Sequence, residues 1–339
     1  MGAQRIVLAS RPADQPTPDN FRLEEFDVPK PGPGQVLLRT IWLSLDPYMR
    51  GRMSDAPSYV PPVQIDAVMA GGTVSEVIES KLPGFAPGDV VVGQSGWQTH
   101  AVSDGKDLRK LDSTVPASTA LGVLGMPGMT AYAGLLDIGK PQPGETVVVA
   151  AASGAVGSAV GQIARIKGAR AIGIAGGPEK CRYVKEVLGF DDCLDHRSPT
   201  MKDDLKAACP KGIDVYFENV GGPVFDAVLP LLNTFARIPL CGLIAQYNAG
   251  PGTKDTRPLS QLMRVALVKR LTIRGFIVFD FASRQGDFLK DMTAWFRDGK
   301  IKYRETVVDG LASAPRAFIG LLRGENFGKQ LVRVGPDKS

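Results

Sequence analysis

The sequence predicts a two-part α/β protein. One part is a doubly wound parallel sheet of six strands with helices between them, and the other is a β-rich module. Three observations lead there. A β-branched run, Glu145-Thr-Val-Val-Val-Ala150, is followed by a glycine-rich turn and then by helical spacing. Five more short apolar runs alternate with helical segments after it. Before residue 125 the pattern changes to short strand candidates punctuated by Pro31-Gly32, Pro33-Gly34 and Pro87-Gly88.

The turn after Ala150 organises the second part. Val156, Val160, Ile163 and Ile166 carry helical spacing, and Gly168 is placed to end the helix. Ala152-x-Gly154-x-x-Gly157 is the dinucleotide fingerprint with alanine in place of its first glycine. Gly154 lets a backbone approach a pyrophosphate, Gly157 lets helix and strand pack closely, and the helix N-terminus offers N–H groups to the phosphates. The next strand, Ala171–Ala175, ends in Gly176-Gly177-Pro178 without an acid at its tip, and Lys180 follows. A carboxylate there would hold ribose hydroxyls, whereas a lysine pairs with a 2′-phosphate, so the expected cofactor is NADP(H).

Composition sets the class. A chain of 339 residues with 44% hydrophobic and 22% charged residues is that of a soluble protein with two domains. Its net charge of +5 comes without a basic block, so no nucleic-acid partner is expected. The N-terminal run is too short for a signal peptide and no segment approaches a membrane span, which makes the expected location cytoplasmic. Cys181, Cys193, Cys209 and Cys241 form no C-x-x-C pair, and with His100 and His196 as the two histidines a zinc site is hard to assemble. Free thiols and no metal are expected.

In chain order, Val36–Trp42, Ala67–Met69, Gly72–Glu79 and Asp89–Gly93 are strand candidates for a small barrel or partly open sandwich. Asp46–Arg50 and Pro57–Pro62 are polar-aromatic loops that line a pocket or merely cover the surface. Met126–Tyr132 leads into a helix running through Leu136. The strands of the parallel sheet are Glu145–Ala150, Ala171–Ala175, Asp192–Asp195, Ile213–Asn219, Ala236–Gly242 and Leu271–Val278, with helices near 179–188, 201–208, 223–232 and 258–269. Right-handed crossovers bring the loops after these strands to one edge, where ligands bind. A helix from Arg284 to Asp298, a strand at Tyr303–Val308, a helix at Ala314–Leu322 and a strand at Gln330–Val334 close the chain. Because six strands complete the sheet, the tail is expected to rejoin the first module. That gives a discontinuous catalytic domain of 1–125 and 300–339 around a dinucleotide domain of 126–299, with Glu325–Lys329 at the cleft between them.

Several motifs in this order carry a resemblance: LSLDPYMRGRM (Leu43–Met53), GVLGMPGMTAYAGLLDIG (Gly122–Gly139), AASGAVGSAVGQ, FENVGG (Phe217–Gly222), CGLIAQYN (Cys241–Asn248) and GENFGK (Gly324–Lys329). The chain resembles the zinc-independent medium-chain dehydrogenase/reductases, within them the leukotriene B4 12-hydroxydehydrogenase/prostaglandin reductase group, and most nearly the bacterial NADPH-dependent curcumin reductases. The resemblance implies a Rossmann domain with a GroES-like catalytic domain. It implies that Gly154, Ala155, Val156 and Gly157 bind the pyrophosphate and Lys180 the 2′-phosphate. Asn219, Cys241, Gly242, Leu243 and Tyr247 would line the cofactor, and Met126, Thr130, Phe276, Ile277, Val278 and Asn326 the nicotinamide. Tyr59 matches a tyrosine that contacts substrate in some relatives. The sequence departs from the group at His196, where prostaglandin reductases place a tyrosine beside the adenosine phosphate.

Without a metal to polarise a simple ketone, a conjugated substrate fits best, because the β-carbon of an enone or enal accepts hydride while charge moves to oxygen. The enolate then needs a hydrogen-bond donor, for which Tyr59, Tyr247 and a ribose hydroxyl are the candidates. The alternatives are a zinc-independent quinone reductase and a non-enzymatic NADPH-binding protein. The apolar edge strand Leu271–Val278 and the family's habit both point to a homodimer.

Overall fold

The structure is a computed structural model that describes residues 2–248 and 259–337. By internal packing the described residues divide into one unit of 2–122, 248 and 305–337 and another of 123–247 and 259–304.

The first unit opens with an antiparallel pair, β1 (Ala3–Leu8) and β2 (Phe21–Phe26). It continues through β3 (Val36–Leu45), the short helix α1 (Met49–Arg52), β4 (Thr73–Ser80), β5 (Val90–Gly93), β6 (His100–Ser103) and β7 (Arg109–Lys110). The stretch Ala67–Met69, expected as a strand, forms only an isolated bridge from Val68 to Val7. Its backbone groups are taken up singly instead, with Leu8 N bonded to Ala67 O and Trp97 N to Met69 O.

The second unit begins with α2 (Met126–Ala133), which runs on as a wider π turn through Gly139. Then come β8 (Thr146–Ala150), α3 (Ala155–Ile166), β9 (Arg170–Ala175), α4 (Pro178–Glu186), β10 (Asp192–Asp195), α5 (Met201–Ala208), β11 (Ile213–Phe217), α6 (Gly222–Val228), β12 (Leu232–Leu240), α7 (Leu259–Lys269), β13 (Thr272–Gly275) and α8 (Gln285–Arg297). Residue 258, the expected first residue of α7, lies outside the described residues. The strands form one parallel sheet in the order β10-β9-β8-β11-β12-β13. This is the expected six-stranded doubly wound sheet. Its order reverses between β8 and β11, and ligands bind outside the carboxyl ends of strands at such a switch point. β8 is buried at all five positions, as a strand covered on both faces must be. β12 starts four residues earlier than expected, at Leu232, and β13 is the four-residue core of the expected Leu271–Val278 run, because Phe276 turns inward to the core.

The tail supplies β14 (Glu305–Asp309), α9 (Ala314–Leu322) and β15 (Lys329–Arg333). β15 pairs antiparallel with β3 and parallel with β14, completing a seven-stranded sheet in the first unit. That unit's core stacks Phe21 on Trp97 at 5.6 Å, with Phe318 edge-on to both. A buried ion pair crosses it. Lys329 Nζ donates to Asp46 Oδ1 and to Leu45 O, each at 2.7 Å, and Ser44 hydrogen-bonds the other Asp46 oxygen. Burial depresses the Lys329 pKa while the Asp46 charge opposes the shift. No helix among the described residues is long and apolar enough to cross a membrane.

Candidate active site

The turn after β8 is built around Ala151, which takes a left-handed φ of 53°. Gly154 N then donates to Ala151 O at 2.9 Å, and Gly154 becomes the N-cap of α3. A Cβ on Gly157 would lie 2.3 Å from Ala151 O, so only glycine lets the first turn of α3 sit against this loop. Ala155 and Val156 begin the helix, whose unpaired N–H groups face the switch point.

A second set of groups surrounds the end of β9. A Cβ on Gly176 would stand 2.9 Å from His196 Nε2 and 3.4 Å from two Arg197 guanidinium nitrogens, so the space beside this glycine is rimmed by basic groups. Lys180, in the first turn of α4, is close enough that the Arg197 charge, after burial, lowers its pKa. Burial and then the Arg197 charge also lower the His196 pKa. Asp195 fixes the arrangement by accepting from Gly177 N and Arg197 N, each at 2.9 Å. Burial raises the Asp195 pKa, but these two N–H groups outweigh it and hold the carboxyl below its usual range. Two cations and an imidazole crowded at one spot fit a dianionic phosphate, whose charge would relieve their mutual repulsion.

Glu218 organises the other side of the switch point. It is 1% exposed and follows β11. Its Oε1 accepts from Val220 N at 2.7 Å, Gly221 N at 2.9 Å and the Tyr216 hydroxyl at 3.1 Å. Its carbonyl oxygen accepts from Cys241 N and Gly242 N, so one residue ties together the loops after β11 and β12. Burial raises its carboxyl pKa against these donors. Asn219 reaches across to β8, its amide donating to Ala150 O at 2.8 Å. Tyr247 folds back over Gly242, where a Cβ would be 2.8 Å from the phenol oxygen, and Leu243 N donates to that oxygen at 3.4 Å. Burial, then the Glu218 charge, pushes the Cys241 thiol up to about 12.

The remaining candidates have plainer settings. Thr130 is buried in α2 and donates to Met126 O at 2.8 Å. Phe276 packs edge-on against Phe217 and Phe281 in the core, Ile277 N donates to Asp280 Oδ2, and Val278 opens a 3-10 turn. In the first unit, Asn326 Nδ2 is bonded to Gly328 O at 2.8 Å, within its own turn, and Tyr59 is 56% exposed. Sequence reasoning assigned no role to Asp195 or Glu218. Asp195 is the last residue of β10 and Glu218 the first after β11, and a carboxylate at a strand end signals a loop-fastening acceptor.

Two family models match the chain, "N-terminal domain of oxidoreductase" over residues 4–111 and "Zinc-binding dehydrogenase" over 155–296. The chain is 60% identical over 338 residues to a protein of Escherichia coli named NADPH-dependent curcumin reductase, covering 98% of this chain and 97% of that one. It is 42% identical to prostaglandin reductase 1 of Rattus norvegicus, over 94% of this chain and 95% of the other. The solved structure of CurA from Vibrio vulnificus in complex with NADPH superposes with a TM-score of 0.95 at 56% identity, covering 98% of this chain and all of that one. The chain belongs to the medium-chain dehydrogenase/reductase family. Within that family it falls with the prostaglandin and curcumin reductases, as the motifs implied. Although the second family model is named for zinc, among the described residues of this medium-chain dehydrogenase/reductase no three His, Cys, Asp or Glu side chains gather closely enough to hold a metal ion.

Proposed function

We propose that the chain is an NADPH-dependent reductase of the C=C bond of α,β-unsaturated ketones and aldehydes, working without a metal. The reading is carried by the full-length likeness to a protein named NADPH-dependent curcumin reductase, in a chain whose own Lys180, His196 and Arg197 cluster at the end of β9. In this reading Gly154–Gly157 and the start of α3 hold the pyrophosphate, and the three basic residues hold the 2′-phosphate. Asn219 and Cys241–Leu243 line the cofactor, while Met126, Thr130, Phe276–Val278 and Asn326 surround the nicotinamide. Bound NADPH supplies a hydride, which the β-carbon of the conjugated carbonyl accepts. Tyr247 or Tyr59 donates a hydrogen bond to the enolate oxygen.

NADPH deuterated at the transferring position tests the chemistry. With a simple enone, the label is expected on the β-carbon of the saturated product, read by NMR. Label on the carbonyl carbon would identify an alcohol dehydrogenase and overturn the reading.

We also propose a homodimer formed through the edge of the parallel sheet. β13 is the terminal strand, and all four of its residues are exposed. Beside it in the chain, α7 leaves Leu259, Met263, Leu267 and Val268 at 62–78% exposure. An unpaired edge with apolar neighbours is stabilised by a second copy. Light scattering at micromolar concentration should give twice the chain's 36.1 kDa, and a monomer would contradict the proposal.

A further inference from the structure

Cys181 and Cys193 meet beneath the basic rim. Cys193 lies on β10 opposite Gly173 of β9. A Cβ on Gly173 would stand 3.1 Å from Cys193 Sγ and 2.9 Å from Val184 Cγ1, so the Cys193 thiol occupies the space between the sheet and α4. Cys181 and Val184, three residues apart, are the buried residues of α4. The two thiols are neighbours, each the largest influence on the other's proton affinity. Each residue keeps 8% of its surface open.

We propose that Cys181 and Cys193 form a reversible disulfide, and that closing it weakens NADPH binding. The second half rests on the cofactor reading above; the first does not. Cys193 lowers the Cys181 pKa, while Cys181 and burial raise that of Cys193, so Cys181 is the nucleophile of the pair. The other thiols stay protonated, since burial pushes Cys209 up to about 11 and Cys241 to about 12. The oxidant is a hydroperoxide. The Cys181 thiolate attacks one oxygen of hydrogen peroxide, giving a sulfenic acid and hydroxide, which takes up a proton to become water. The Cys193 sulfur then attacks the sulfenic sulfur, and its proton leaves with the departing hydroxyl as a second water. Two thiols give up two electrons and one peroxide accepts them. A reducing dithiol reverses the reaction by exchange.

The bond acts on the cofactor site through its neighbours. Closing the two sulfurs to about 2.05 Å draws the first turn of α4 toward β10. Lys180 directly precedes Cys181 in that turn, and Asp195, two residues beyond Cys193, is bonded to Gly177. The bridge therefore shifts Lys180 against His196 and Arg197.

The test treats the reduced full-length protein with hydrogen peroxide, blocks remaining thiols with iodoacetamide, and maps peptides by mass spectrometry. The expected result is loss of two of the four thiols, a linked Cys181–Cys193 peptide, and recovery with dithiothreitol. The NADPH dissociation constant, read by nicotinamide fluorescence, should rise about tenfold, the loss of one charged hydrogen bond, with that for NADH little changed. Cys193→Ser and Cys181→Ala should each form no bridge and keep their NADPH affinity under peroxide. Four intact thiols, a bridge through Cys209 or Cys241, or a Cys181 that over-oxidises without bridging would overturn the disulfide. A bridge that leaves NADPH affinity unchanged would overturn the coupling. Failure of the reduced protein to bind NADPH would instead count against the cofactor reading, and the linked peptide would stand.

Discussion

Tyr247→Phe should lower turnover of a simple enone by ~10²–10³-fold, the usual loss when one preorganised donor to a developing oxyanion is removed. Preorganisation is the reason to place Tyr247 ahead of Tyr59. The Tyr247 phenol is seated over Gly242, and its oxygen accepts from Leu243 N, which anchors it to the backbone. Tyr59 is 56% exposed in a loop of bends, so ordering its hydroxyl around a substrate costs more. Tyr59→Phe is accordingly expected to act mainly on KM, and by less. The Leu243 bond is long, so its loss in Tyr247→Phe should leave the NADPH dissociation constant within about twofold, below the ~1 kcal/mol of an ordinary hydrogen bond. Steady-state kinetics with both variants decide the matter. If Tyr247→Phe keeps full turnover and Tyr59→Phe loses it, the roles are exchanged; if both keep it, neither phenol is the essential donor and a ribose hydroxyl or water takes that role.

The parallel sheet was legible in the sequence because buried strands read as continuous apolar runs. Asp192–Asp195 and Ala314–Leu322 appear with the expected limits, and Gly168, at φ 80°, closes α3 as placed. The first unit was harder to read. β1 and β2 went unnoticed because Phe21-Arg-Leu-Glu-Glu-Phe26 carries charges on a half-exposed ribbon, and a proline-rich link separates it from β1. The pairing that stabilises them, Ile6 opposite Leu23 with Ile6 N donating to Trp97 O, is long-range and leaves no local period. The site shows the same division. Glycines that a fingerprint requires are visible in sequence, since backbone crowding alone demands them. The fastening roles of Asp195 and Glu218 depend on which N–H groups a loop turns toward them, and the Cys181–Cys193 contact depends on the register of β10 against β9.

Lys180→Ala carries the second large effect and tests the cofactor rim directly. A charge-assisted hydrogen bond to phosphate contributes about 1.5–3 kcal/mol, so NADPH affinity should fall roughly 10- to 150-fold. NADH lacks the 2′-phosphate, so its affinity should hardly change, and discrimination between the two cofactors should shrink by the same factor. The fall should stay at the low end of that range. Arg197 remains beside Gly176, and removing Lys180 also removes its repulsion with Arg197. Turnover at saturating NADPH should be kept, because the adenosine end is bound equally in ground and transition states. Raising salt should narrow the difference between Lys180→Ala and the unaltered protein in part, since the half-buried Lys180 charge is screened less than a fully exposed one, for which screening sets in within about 10 Å at 0.1 M. Fluorescence titration of both cofactors measures all of this. An equal loss for NADPH and NADH would mean that Lys180 supports the fold of the α4 turn rather than the phosphate, and the specificity would then have to come from Arg197 and His196 alone.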